Sequence, residues 1–92
     1  MTDCYRLRIT GAVQGVGFRD WFVAEAQARG LDGWVRNRSD GSVEALIAGP
    51  DETCKAMIEA ALRGPAQARV ASVDLKGEQA LPEPGFRRAP TL

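Results

Sequence analysis

The sequence predicts an α+β fold, a sandwich in which two helices cover one face of an antiparallel sheet. Three observations carry this prediction. Alternating apolar residues indicate strands near both ends of the chain, and an Asp-Gly turn joins two further extended runs. Two segments with apolar residues at helical spacing separate these strands. The chain has 92 residues, which we interpret as one domain of residues 1–92.

The first strand is predicted over residues 4–10, where apolar side chains alternate with polar ones. A glycine-rich loop follows, and the first helix begins near Phe18. Its apolar side chains recur at intervals of four, which is the spacing of one helix face. Gly30 is expected to end this helix, because glycine readily adopts the left-handed conformation of a C-cap.

A hairpin is predicted from the strands at residues 32–38 and 42–48, which flank the Ser-Asp-Gly turn of residues 39–41. The second helix should begin around Pro50 and stop at Gly64. Its expected apolar stripe consists of Cys54, Met57, Ile58, Ala61 and Leu62.

A further strand is predicted over residues 69–76, with Ala71, Val73 and Leu75 on its buried face. Residues 86–88 are predicted as a short edge strand, and residues 89–92 as a frayed tail. Without that short strand, the order is βαββαβ, which is the arrangement of ferredoxin-like sandwiches.

The loop between the first strand and helix contains three glycines within seven residues, Gly11, Gly15 and Gly17. Glycines adopt positive φ angles, so backbone N–H groups can converge on an anion. The free N–H groups at the start of the helix favour a phosphate at the same place. We therefore predict a cradle for one phosphate, built mainly from the backbone N–H groups of Gly15, Val16, Gly17, Phe18 and Arg19.

Arg19 supports the cradle but has an alternative interpretation. A cation in the first helical turn is disfavoured by the helix dipole, by about 0.3–1 kcal/mol, unless an anion lies between them. The alternative is a simple strand-to-helix turn in which Arg19 pairs with Asp20. The glycine spacing alone favours neither interpretation.

Residue types and spacings exclude several other sites. A P-loop requires a Gly-Lys pair, but no lysine precedes Lys55, and Asp20 stands where a dinucleotide-binding loop has its third glycine. The absence of histidine excludes histidine bases and most zinc sites. Neither Cys4 nor Cys54 is followed by arginine at thiol-phosphatase spacing. We expect no metal site and no cofactor.

The charge balance limits the partners. Twelve basic and twelve acidic residues give zero net charge, which argues against nucleic-acid binding and membrane binding. No stretch reaches the roughly 20 apolar residues that cross a membrane, and no targeting segment is evident. We expect a cytoplasmic protein.

Two blocks resemble the signatures of the acylphosphatase family. They are residues 9–19, Ile-Thr-Gly-Ala-Val-Gln-Gly-Val-Gly-Phe-Arg, and residues 33–43, Gly-Trp-Val-Arg-Asn-Arg-Ser-Asp-Gly-Ser-Val, the second completed by Gly49. The resemblance covers nearly the whole chain, although the C-terminal third matches only in pattern. Ala12 departs from it, because many family members carry a basic residue there.

The resemblance implies hydrolysis of acyl phosphates to a carboxylate and inorganic phosphate, without a metal ion. It places the catalytic residues at Arg19 and Asn37 and gives the sheet order 4-1-3-2. The implied partner is a small-molecule acyl phosphate, with inorganic phosphate or sulfate as a competing anion. A monomer is expected.

Two alternatives remain open at this stage. Asn37 could be a turn residue that bonds to its own backbone ahead of the hairpin turn. The whole domain could be a non-catalytic, anion-binding or regulatory ferredoxin-like domain.

Overall fold

A computed structural model describes residues 2–92 of the chain. It contains five strands and two helices. In chain order these are β1 (Thr2–Ala12), α1 (Phe18–Ala28), β2 (Asp32–Asn37), β3 (Val43–Pro50), α2 (Asp51–Arg63), β4 (Arg69–Gly77) and β5 (Phe86–Arg88). The predicted element order and the ferredoxin-like α+β fold are confirmed.

The strands form one sheet in the order β4-β1-β3-β2-β5. The expected order 4-1-3-2 is therefore confirmed, with β5 added at the edge. The first four strands pair antiparallel, whereas β5 runs parallel to β2. The prediction of an antiparallel sheet misses this one parallel pair, because the direction of β5 is set by a long loop and not by a local sequence signal.

Both helices pack on the same face of the sheet. Phe18, Phe22 and Ala26 of α1 are buried there, and the rings of Phe22 and Phe86 lie 5.6 Å apart. The strands contribute alternate residues to this core, as period-two side-chain orientation requires. These strand residues are Leu7, Ile9, Val35, Val43, Ala45 and Ile47.

The predicted apolar stripe of α2 needs one correction. Leu62 is 53% exposed, whereas Ala60 is buried beside Met57. Successive residues are rotated by roughly 100° around a helix, so Leu62 points away from the sheet when Ala61 faces it. The predicted stripe omitted Ala60, whose small side chain allows α2 to approach the sheet.

A β-bulge explains why the buried face of β4 was predicted wrongly. The pairing of β1 with β4 shifts between Thr10 and Gly11. Thr10 pairs with Ser72 and Gly11 with Val70, which leaves Ala71 unpaired. Gly11 has a φ of 122°, and a Cβ there would overlap the main-chain oxygen of Arg69.

The bulge changes which side chains of β4 face the core. Val70 and Val73 pack against the core cluster, whereas Ala71 is exposed. Leu75 pairs with the buried Leu7 but is 51% exposed, because β4 is an edge strand that α2 covers only in part. Only Val73 of the three predicted residues is therefore correct.

The expected frayed tail is also wrong. The N–H of Ala89 donates to the main-chain oxygen of Val35 at 2.8 Å. The N–H of Leu92 donates to the oxygen of Asn37 at 3.1 Å, and Leu92 accepts from the N–H of Ser39 at 2.8 Å. The tail is thus held along β2, next to the start of the hairpin turn.

The other face of the sheet carries a buried carboxylate. Glu44 on β3 is 5% exposed. It forms ion pairs with Arg6 at 2.8 Å, Arg36 at 2.7 Å and Arg38 at 3.1 Å. Burial raises the pKa of the Glu44 carboxyl, but the hydrogen bonds from the three arginines outweigh this effect and hold the pKa below its ordinary value. The central strand is consequently buried on both faces.

Within residues 2–92, no helix is long and apolar enough to cross a membrane. The same residues contain no group of three or more cysteine, aspartate or glutamate side chains placed to hold a metal ion.

We predict that Glu44→Gln lowers the free energy of unfolding by roughly 2 kcal/mol at pH 7, because the arginines lose a charged hydrogen-bond acceptor. The folded-state pKa of Glu44 is depressed, so its contribution is present above pH 4.5 and is lost as the pH falls through that lower pKa. Urea unfolding at several pH values should therefore show the difference from wild type shrinking in acid. Asp74→Asn is the control, since Asp74 is an exposed carboxylate on β4. A difference that persists unchanged in acid would contradict the role of the charge.

Candidate active site

The predicted cradle connects β1 to α1. Gly15 and Gly17 have φ angles of 75° and 76°, which residues other than glycine rarely adopt. Gly17 is the N-cap of α1. No side chain in the described part of the chain caps this helix. Among the described residues 2–92, no acceptor outside α1 is bonded to the backbone N–H groups of residues 15–20. The first N–H groups of a helix also have no acceptor within the helix. Several free donors therefore lie together at the positive end of the helix dipole.

Arg19 lies in the first turn of α1, beside these N–H groups. Its guanidinium forms no hydrogen bond or ion pair with any described residue. Asp20 instead pairs with Arg88, with Oδ1 and Nη1 2.7 Å apart. The alternative pairing of Arg19 with Asp20 is therefore wrong, and a free guanidinium remains next to the cradle.

Asn37 is the last residue of β2 and faces the cradle from the hairpin. Its Oδ1 is buried and has no hydrogen-bond partner among the described residues. A buried acceptor without a partner lowers the stability of the fold by about 1–3 kcal/mol, unless a ligand or water donates a hydrogen bond to it. The side chain of Asn37 does not stabilise the hairpin turn through its oxygen. Asp40 holds the turn by accepting from the N–H of Ser42 at 2.9 Å and from its hydroxyl at 2.6 Å, bonds that also lower the pKa of Asp40.

These groups converge on one cleft of about 220 Å³. Its lining residues are Val13, Gly15, Gly17, Phe18, Arg19, Asp20, Asn37 and Arg88. Of the predicted site residues, all line the cleft except Val16, whose side chain packs against the core. The structure thus brings Arg19 and Asn37 to the same cavity from different parts of the chain.

Sequence analysis missed three lining residues. Val13 lies inside the glycine-rich motif and Asp20 directly follows it, so position alone could have suggested them. Arg88 lies on β5, and it reaches the cleft only because β5 pairs with β2. No local signal in the sequence indicates that pairing.

Gln14 connects the cradle to the hairpin that carries Asn37. Its Nε2 donates to the main-chain oxygen of Arg38 at 2.8 Å and to that of Ser42 at 2.9 Å. These oxygens belong to the two ends of the hairpin turn. One side chain therefore holds the position of the hairpin relative to the cradle.

A larger cleft of about 580 Å³ lies elsewhere, lined by the start of β1 and the segment after β4. Its lining includes the carboxylates of Asp3 and Glu78 and contains no lysine or arginine. Such a cavity is unsuited to a phosphate, so the smaller cleft is the better candidate.

The acylphosphatase family model matches residues 5–88. The chain belongs to the acylphosphatase family. An acylphosphatase from Azorhizobium caulinodans is 50% identical over 93 positions, with complete coverage of both chains. An acylphosphatase structure from Coxiella burnetii superposes with a TM-score of 0.91 at 32% identity and covers 96% of this chain and 93% of that one. The crystal structure of the Bacillus subtilis acylphosphatase gives a TM-score of 0.90 at 37% identity, covering 97% and 99%.

Ala12 is the residue at which the sequence departs from the family pattern described above. It is exposed at the end of β1 and pairs directly with Arg69 of β4. The opposite strand therefore places an arginine next to this position.

We predict that Gln14→Met lowers kcat for an acyl phosphate about 10-fold or more, because small displacements of a positioning group reduce the rate strongly. Inhibition by inorganic phosphate should change less than about three-fold, since the cradle and Arg19 are intact. Steady-state kinetics measure both quantities. Gln79→Met provides the control, because Gln79 is exposed and far from the hairpin. Equal losses in turnover and phosphate binding would instead indicate general damage to the site.

Proposed function

We propose that this acylphosphatase hydrolyses acyl phosphates with Arg19 and Asn37 as its catalytic residues, within one domain of residues 1–92. The observation that carries the proposal is the convergence of unpaired groups on one cleft. Backbone N–H groups, a guanidinium and an amide oxygen that have no partner among residues 2–92 all lie there. Each of these groups would gain partners from a phosphate and a water.

The phosphate group of the substrate would occupy the cradle. The backbone N–H groups of residues 15–19 would donate to its oxygens, and the planar guanidinium of Arg19 would donate to two of them. Phosphoryl transfer depends mainly on positioning and on stabilising the charge that spreads over the phosphate oxygens. A bound phosphate also removes the unfavourable interaction between Arg19 and the helix dipole.

Asn37 would position the attacking water. Its Oδ1 has no hydrogen-bond partner in the described part of the chain, so Oδ1 can accept from a water while Nδ2 donates to a phosphate oxygen. This arrangement aligns the water with the departing carboxylate. Since an amide is a poor base, the proton of the water passes to a phosphate oxygen of the substrate.

The leaving group explains why this chemistry needs no histidine or cofactor. The conjugate acid of the departing carboxylate has a pKa of about 4, so it leaves as a stable anion without a general acid. The N–H groups of the cradle and Arg19 supply the positive potential that metal ions provide in many other phosphoryl-transfer sites.

The alternative is a domain that only binds anions. The amide oxygen of Asn37 argues against it, because an acceptor beside a phosphate is unfavourable unless a donor such as water lies between them. A pure binding site would use only the NH2 group of this amide, whereas positioning a water also uses its oxygen. Family membership and the names of the relatives also favour the enzyme.

We further propose a cytoplasmic monomer that acts on a small molecule and binds no nucleic acid. Sheets that bind RNA stack bases on exposed aromatic rings. On the open face of this sheet, the guanidiniums of Arg6 and Arg36 lie over the ring of Trp34, at 5.6 and 4.5 Å from the ring centre. That arrangement leaves the ring poorly available for a base. Inorganic phosphate and sulfate should compete with the substrate for the cradle.

We predict that Arg19→Ala reduces kcat/KM for benzoyl phosphate by a factor on the order of 10² or more and weakens inhibition by phosphate. Arg19→Lys should also fail, because lysine keeps the charge but loses the planar fork. Turnover and phosphate inhibition are measured together, with thermal unfolding as a check of the fold. Arg63→Ala is the control, since Arg63 is an exposed arginine at the end of α2. A near-native rate for Arg19→Lys would contradict the proposed contact between the Arg19 guanidinium and two phosphate oxygens.

We predict that Asn37→Ala lowers kcat by a factor on the order of 10² or more while phosphate inhibition stays within a few-fold. The reason is that binding depends on the cradle, whereas alignment of the water depends on the amide. Asn37→Asp should lose both, because its carboxylate repels the phosphate and donates no hydrogen bond. The same kinetic measurements apply. Wild-type turnover in Asn37→Ala would show that the water is positioned by another group.

A further inference from the structure

The outer rim of the cleft carries an ion pair that the proposed mechanism does not use. Asp20 and Arg88 line the cleft together with Arg19 and Asn37, and their side chains are 73% and 45% exposed. Because the phosphate would sit in the cradle, the acyl group must extend toward the open side of the cleft. Arg88 is the second cation that a bound substrate would meet there.

The backbone of Arg88 is held firmly, although its side chain is exposed. Arg88 pairs with Val35 of β2, and the next residue, Ala89, donates to the oxygen of Val35 at 2.8 Å. Val35 and Asn37 are two residues apart on one strand, so their side chains lie on the same face. Arg88 therefore lies on the face that carries Asn37, one strand further out.

The guanidinium of Arg88 has hydrogen-bond donors that the pairing with Asp20 does not use. Only its Nη1 is engaged, by Oδ1 of Asp20 at 2.7 Å, whereas its Nε and Nη2 have no partner among residues 2–92. Exposed ion pairs contribute only about 0–1 kcal/mol, so Asp20 can be displaced or can share the guanidinium at little cost. Asp20 also marks the place where a carboxylate fits against Arg88.

We propose that Arg88 is a specificity-determining residue that binds a second carboxylate on the acyl group of the substrate. This inference rests on the proposed function and narrows it to acyl phosphates of dicarboxylic acids. Such a substrate carries a phosphate for the cradle and Arg19, and a distal carboxylate for the free donors of Arg88. Asp20 competes with that carboxylate for the same guanidinium.

The test compares two substrates that differ only in distal charge, 3-carboxybenzoyl phosphate and 3-carbamoylbenzoyl phosphate. The ratio of their kcat/KM values is the carboxylate preference. Arg88→Gln should lower this preference about 10-fold or more, since a charge-assisted hydrogen bond is lost. Asp20→Asn should raise it, because the competing carboxylate is removed. Opposite shifts from two neighbouring residues are not expected of a merely structural role.

Arg87→Gln is the matched control. Arg87 is the preceding residue of β5 and pairs with Trp34, so it points to the opposite face of the sheet. Its loss changes the net charge equally without touching the cleft. The carboxylate preference should stay within about two-fold of wild type. An equal fall in Arg87→Gln would show a long-range charge effect and overturn the inference.

Binding of benzylphosphonate and 3-carboxybenzylphosphonate, measured by calorimetry, separates this inference from the proposed function. If wild type hydrolyses neither acyl phosphate but binds the carboxylated phosphonate more tightly, and Arg88→Gln abolishes that difference, the proposed function fails and the role of Arg88 stands. If both substrates are hydrolysed and Arg88→Gln slows them equally, the function stands and the role of Arg88 as a carboxylate ligand is wrong.

Discussion

The register between β1 and β3 determines where the proposed active site forms. Val43, at the start of β3, pairs with Ile9 on one side and with Asn37 on the other. The cradle follows directly after the end of β1, so this one row of residues brings it beside the hairpin. A slip of one residue would turn every side chain to the opposite face and separate Asn37 from the cradle. The burial of β3 on both faces makes such a slip unfavourable.

The sequence predicted the parts of this arrangement that depend on local chemistry. Helical spacing located α1, the Asp-Gly turn located the hairpin, and the glycines located the cradle. Features that depend on distant partners were missed. The bulge at Ala71 is visible only in the pairing of two strands, and Arg88 reaches the cleft only through β5. The proposed roles of Arg19 and Asn37 came from the resemblance to a family. Without it, an arginine could equally form a surface ion pair, and an asparagine could equally be a turn residue.

Arginine has two different roles on the two faces of the sheet. On the open face, Arg6, Arg36 and Arg38 all form ion pairs with the buried Glu44, so each of these arginines has a carboxylate partner. On the helix face, Arg19 has no carboxylate partner among the described residues. A net charge of zero therefore conceals a local positive potential in the cleft. Overall composition gives no information about this separation, because it counts paired and unpaired charges alike.

The short strand β5 gives the two ends of the cleft different local stability. The cradle and Asn37 are anchored to the central strands, whereas Arg88 belongs to a three-residue edge strand. Edge elements with few hydrogen bonds open locally at a lower free energy than central strands. Phe86 of β5 belongs to the core, but Arg87 and Arg88 are exposed, so substitutions at these two positions are compatible with a folded domain. Through the exposed part of this strand, evolution can alter the acyl-group preference that we propose for Arg88 while the proposed phosphate site stays unchanged.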